Sequence, residues 1–222
     1  MLTMPRFRLN GLLWMLLAFA NPLVAATVTV HVTDQQGHAV SDAVVTLVPD
    51  AAPASAPSKQ ASQTYYVDQK HETFIPYVRI FRPGDRVIFR NSDTTRHQVY
   101  SFAAIKQFEF VLRPGDSSPP LVLDKAGIVA VGCNIHDDMV TYLFVSSTPA
   151  IGITDQAGDV VIDKLAAGRY SARLWHPQLQ PGKPLPGQQV SVGGNSVTQQ
   201  LVFTVSLMAD PRRPMPDHQP EY

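Results

Sequence analysis

The sequence predicts an all-β chain in which a Greek-key sandwich is inserted into a second, discontinuous β-sandwich. Three observations lead there. Apolar residues come in short runs rich in valine and threonine, and nineteen prolines with a charged fraction of 16% favour strands and structured turns over helices. The turn Arg82-Pro83-Gly84-Asp85 recurs as Arg113-Pro114-Gly115-Asp116, proline fixing φ at one central position and glycine supplying a positive φ at the next. Finally, the turn Thr33-Asp34-Gln35-Gln36-Gly37-His38 is echoed far downstream by Thr154-Asp155-Gln156-Ala157-Gly158-Asp159. Matching strands therefore lie on both sides of a central segment.

Taken in order, residues 1–26 read as a secretory signal peptide, with Arg6 and Arg8, an apolar run over 11–20 and the small-residue end Val24-Ala25-Ala26. That run is about ten residues, short of the ~20 a membrane span needs. Residues 27–49 hold two strands, 27–32 and 43–48, which cannot form a sandwich alone. Residues 50–63 are a Pro/Ala/Ser linker. From 64 to 147 short strands are expected at 77–81, 86–90, 97–102, 108–112, 121–123, 128–133 and 140–145, after an opening strand near Tyr65-Tyr66-Val67. Residues 148–208 return to alternating strands at 151–154, 160–162, 169–175, 188–192 and 197–206. The orphan strands of 27–49 need a sheet to join, and this set offers one. The tail, 209–222, has no periodicity and reads as disordered.

Equal numbers of basic and acidic residues give a formal charge of zero, so no polybasic surface argues for nucleic acid. Export places the protein in the periplasm or outside the cell. There a lone cysteine, Cys133, points to a reactive, intermolecular or metal-bound thiol rather than to a disulfide framework.

That cysteine sits in Gly132-Cys133-Asn134-Ile135-His136-Asp137-Asp138-Met139, between the β-branched runs Ile128-Val129-Ala130-Val131 and Val140-Thr141-Tyr142-Leu143-Phe144-Val145. Thiolate, imidazole and thioether thus fall within seven residues of a loop joining two strands. Soft sulfur ligands with imidazole suit copper, and one cysteine, two histidines and a weak axial methionine make the blue-copper set. The second histidine is best supplied by His97, which opens a strand after the polar loop Asn91-Ser92-Asp93-Thr94-Thr95-Arg96. Singly, a buried cysteine, a core methionine and a solvated histidine are ordinary; together, in this two-strand setting, they form a site.

These residues resemble those of the cupredoxins, the blue copper proteins of the plastocyanin, azurin and amicyanin type. The Cys-x2-His-x2-Met spacing is most similar to amicyanin, and the resemblance covers residues 64–147. It implies one type 1 copper held by His97, Cys133, His136 and Met139, with Asn91 steadying the ligand loops by hydrogen bonding. Gln98-Val99-Tyr100-Ser101-Phe102 and the Cys133 motif resemble still more the secreted cupredoxin-like proteins called methylamine utilisation proteins. The flanking strands, with Gly168-Arg169-Tyr170, resemble the carboxypeptidase regulatory-like sandwich.

The resemblance implies a carrier of single electrons rather than an enzyme, a monomer that works with a redox protein partner. A basic c-type cytochrome fits best, because Asp137-Asp138 beside His136 would make the exit port acidic. Copper storage or delivery without electron transfer shares the same ligands and remains open. A Cys–His nucleophile leaves Met139 without a task, and structural zinc rarely accepts methionine. A binding or adhesion role for the flanking sandwich would rest on Trp175-His176-Pro177, where a strand-end tryptophan reads better as core. His31, His38, His71, His176 and His218 lack ligand-like spacing and read as ordinary surface or strand residues.

Overall fold

The computed structural model describes residues 26–51, 61–193 and 198–212. Residues 1–25, read above as a leader, most of the expected linker and residues from 213 on, with His218, lie outside the described residues. Ala26, at the expected leader boundary, is the fully buried first residue of the first strand.

Among the described residues there is no helix, and sixteen strands form four sheets. They are β1 (Ala26–Asp34), β2 (Val44–Pro49), β3 (Thr64–Gln69), β4 (Phe74–Ile75), β5 (Val78–Phe81), β6 (Asp85–Asn91), β7 (His97–Ala103) and β8 (Lys106–Leu112). There follow β9 (Leu121–Leu123), β10 (Gly127–Cys133), β11 (Val140–Val145), β12 (Ile151–Ile153), β13 (Asp159–Leu165), β14 (Gly168–Trp175), β15 (Gly187–Val192) and β16 (Gln199–Val205).

The early strands join the late ones. β1 runs antiparallel to β13 and parallel to β16, and β2 lies between β12 and β14, with β15 beyond. Strand periodicity explains the layering: Val28, Val30 and Val32 of β1 are buried while the intervening Thr29 and His31 are partly exposed. With Leu47, Ala172, Leu174, Leu201 and Phe203 they fill one core. The echoed turns are the same object twice. Asp34 accepts N–H bonds from Gln36 and His38 around Gly37 (φ +85°), and Asp155 accepts them from Ala157 and Asp159 around Gly158 (φ +78°).

Between those halves lies a second pair of sheets, ordered β4-β3-β6-β9 and β5-β11-β10-β7-β8. Its core includes Val67, Phe89, Val99, Val131 and Leu143. Both Arg-Pro-Gly-Asp turns behave alike: the aspartate carboxylate accepts the arginine's backbone N–H, at 2.8 Å for Asp85 and 2.9 Å for Asp116. β4, a two-residue strand, was not expected from the sequence; two residues carry no periodicity.

The two sandwiches share an apolar contact in which Tyr142 and Phe144 of β11 meet Trp175 of β14, with ring centroids 5.7 and 5.3 Å apart. Trp175 therefore belongs to packing. His176 departs from expectation: it is 4% exposed, not a surface residue. Burial pushes its pKa down to about 4, with the Arg212 charge acting in the same direction.

Candidate metal centre

His97, Cys133 and His136 converge at one end of the central sandwich. β7 and β10 are neighbours, with Val99 opposite Cys133, so His97 and Cys133 point inward two residues apart along the pleat. The loop after β10 then turns back on itself. Cys133 N–H donates to the Met139 carbonyl at 3.2 Å, and Met139 N–H to the His136 carbonyl at 3.1 Å. Asn134 N–H donates to the Gln98 carbonyl at 3.0 Å, tying the loop to β7.

The three donor atoms lie within 4.8 Å of one another. Cys133 Sγ is 3.7 Å from His97 Nδ1 and 3.9 Å from His136 Nδ1. A fit can be tested on that spacing: bonds of ~2.0 Å to nitrogen and ~2.3 Å to sulfur, opened to ~120°, put N and S about 3.7 Å apart. The set fits a trigonal first-row metal. His97 is fully buried, Cys133 is 3% exposed and Met139 is 2% exposed, whereas His136 keeps a partly open edge. Met139 shares the core cluster with Cys133.

Asn91, at the end of β6, is 2% exposed. Its Nδ2 donates to the carbonyls of Thr95, 2.8 Å away, and Leu112, 2.9 Å away, and its Oδ1 accepts Asp93 N–H at 3.0 Å. It thus pins both ends of the loop leading to His97.

Two carboxylates were missed by sequence reasoning. Asp93 Oδ2 lies 2.8 Å from His97 Nε2. Glu72 Oε1, on the turn between β3 and β4, lies 3.5 Å from His136 Nε2. Burial alone would raise the Asp93 pKa, but the N–H groups of Glu72 and His71 and the His97 ring outweigh it and hold the carboxyl below its ordinary range. Asp93 is therefore the acceptor in this contact and His97 Nε2 the donor. The Asp-x3-His spacing was the available signal for Asp93; Glu72, far from His136 in sequence, offered none.

Asp137 and Asp138 are both exposed beside His136, as is Ile135 at 43%. Glu72 is the carboxylate within ion-pair distance of the His136 ring, Asp137 and Asp138 follow His136 in the loop, and Lys70 and Arg96 are exposed on the adjoining turns.

No family model matches the chain, and no curated protein does. Among solved structures it is similar to a copper-containing nitrite reductase from Thermus scotoductus SA-01, at 23% identity over 45% of this chain and 25% of that one, with a TM-score of 0.34. The chain thus spans a quarter of the reductase's length. It is similar to a purple cupredoxin from Nitrosopumilus maritimus at 20% identity, covering 39% of this chain and all of that one, with a TM-score of 0.33. A mutant of amicyanin in the Cu(I) form matches at 18% identity over 46% of this chain and 98% of its own, with a TM-score of 0.34.

Proposed function

We propose that this protein binds one copper ion through Nδ1 of His97 and His136 and Sγ of Cys133, with Met139 as axial thioether, and carries single electrons between redox partners outside the cytoplasm. The observation that supports this most is the convergence of two imidazole Nδ1 atoms on the chain's lone, buried thiol. A bound copper ion would supply a one-electron couple. The residues supply the rest: sulfur and imidazole donors suit both oxidation states, and ligands borne on paired strands need move little between them. Asn91 holds the loop of His97 and so tunes the site from outside.

A carrier fits better than a Cys–His enzyme, since a thiol 3% exposed does not meet a substrate carbonyl. The half-open edge of His136 is the natural route for the electron, and the acids around it favour a partner presenting lysines, such as a small c-type cytochrome. The leader-like residues 1–26 support export, the strand pairings support one sandwich inserted in another, and we take the working form to be a monomer.

The test is spectroscopic. The exported protein with Cu(II) should show an intense visible thiolate-to-copper band at one copper per chain, and Cys133→Ser should lose it while keeping its β-sheet circular dichroism. A band retained in the serine variant defeats the assignment. Slow electron exchange with every cytochrome tried, in a protein that does take up copper, favours storage or delivery instead.

A further inference from the structure

The turn between β3 and β4 reaches both histidines. Lys70 and Thr73 exchange backbone hydrogen bonds, at 3.0 and 3.2 Å, around the two central residues His71 (φ +55°) and Glu72 (φ +53°). Such a two-residue hairpin favours Asn-Gly, because both centres occupy the left-handed region that side chains disfavour. This chain puts His-Glu there. Strain of that kind persists where surrounding contacts over-determine it, and the contact is Asp93, whose carboxylate accepts the N–H groups of both His71 and Glu72. The same carboxylate accepts from His97 Nε2, 2.8 Å away. The strained conformation in turn carries the Glu72 carboxylate to within 3.5 Å of His136 Nε2.

Resting on the copper reading above, we propose that Asp93 and Glu72 act as paired positioning residues: through one strained turn they hold the outer nitrogen of both ligand histidines, fixing each ring as the Nε2–H tautomer with Nδ1 turned to Cys133. Asp93 serves the buried ring through a 2.8 Å hydrogen bond, and Glu72 serves the open one from ion-pair distance, 3.5 Å. Two anionic partners on the imidazoles favour the more highly charged metal state.

The tautomers are read directly from imidazole 15N shifts in the metal-free protein at about pH 8, where ordinary histidines are neutral. Both His97 and His136 should be Nε2–H. His71→Asn combined with Glu72→Gly installs the relaxed Asn-Gly turn, so the hairpin is kept while the Glu72 carboxylate is lost together with the exposed His71 ring, which touches neither ligand. In that variant the Nε2–H preference of His136 should fall about two- to fivefold, the effect an exposed charge pair supplies, while His97 is unchanged. Once copper is loaded, its reduction potential should rise, and Glu72→Gln, which keeps an acceptor, should retain the tautomer while sharing the rise. Nδ1–H at either ring in the parent, or an Asn-Gly variant with parental His136 tautomer and potential, overturns the clamp. If the parent binds no copper, the metal-free spectra still decide the clamp, and the copper reading alone falls.

Discussion

Asn91→Ala separates what holds the fold from what holds the site. The side chain makes three hydrogen bonds, and the partners it leaves behind differ in their access to water. Thr95 is exposed and Asp93 half-buried, so its carbonyl and N–H can turn to solvent; the Leu112 carbonyl, in a residue 4% exposed, cannot. Losing the buried bond at Leu112, whose carbonyl keeps its ladder partner opposite His97, costs about 1–1.5 kcal/mol, and two solvent-reachable bonds lose about 0.5–1 kcal/mol each. The metal-free variant should therefore lose about 3 kcal/mol in urea unfolding. The site should suffer further, because the loop from Ser92 to Arg96 carries Asp93 and aims His97. Loss of such an outer partner costs metal affinity about 10–100-fold, so competition against a chelator should show weaker copper binding beyond the loss of stability. An unfolding loss below about 1 kcal/mol would refute the hydrogen-bond accounting. Unchanged copper affinity would show that Asn91 serves the fold alone.

Other expectations follow from neighbouring features. Trp175→Ala should cost about 2–3 kcal/mol, less than for a fully buried tryptophan, with the visible copper band unchanged, since Trp175 touches Tyr142 and Phe144 rather than the ligands; a lost band would refute this. His176, with its pKa depressed to about 4, binds its proton more readily when unfolded, so its contribution is full above pH ~6.5 and is lost as pH falls toward 4, by up to about 3 kcal/mol. Urea unfolding of His176→Gln should lose that part of the parent's slope between pH ~6.5 and 4; an identical slope counts against it. Electron transfer with a basic cytochrome should slow steeply with salt, and Asp137→Asn with Asp138→Asn should flatten that dependence, exposed charges being screened over ~8–10 Å. A rate indifferent to salt removes the acidic port.

Much of the architecture was legible because a strand's two-residue period writes burial into the sequence. Thr27-Val28-Thr29-Val30 announces its inward valines, and β1 buries them. Repeated turns were equally legible, since proline, glycine and aspartate each carry a fixed backbone role. The three donors that meet in space were recognisable because a lone cysteine in a chain expected to be exported needs an explanation, and His136 lies within its own loop. What could not be read depends on the meeting of distant loops. Glu72 reaches His136 only because β3 and β4 end beside the Cys133 loop, and nothing in Lys70-His71-Glu72-Thr73 marks an acid bound for an imidazole. His176 was misjudged for a related reason: beside a strand end and a proline it looks solvated, but the neighbouring turn at Ser41 covers it.

The packing of β11 explains how a loop with two adjacent acids can remain a defined site. The motif is held between β10, whose Cys133 is hydrogen-bonded across to Met139, and β11, which starts at Val140. One face of β11 supplies Leu143 and Val145 to the core beneath the site. The other supplies Tyr142 and Phe144 to the contact with Trp175. A strand fixed on both faces cannot slide by one residue without exchanging its two apolar sets, so the register that places Met139 is locked from outside as well as from within. The second sandwich thereby buttresses the loop without touching the donors. It covers the β5–β11 side of the five-stranded sheet and leaves His136 with its carboxylates at the open end. Removing the flanking strands should consequently loosen the ligand loop before it disturbs His97, which is anchored through Asn91 and Asp93 on the opposite side.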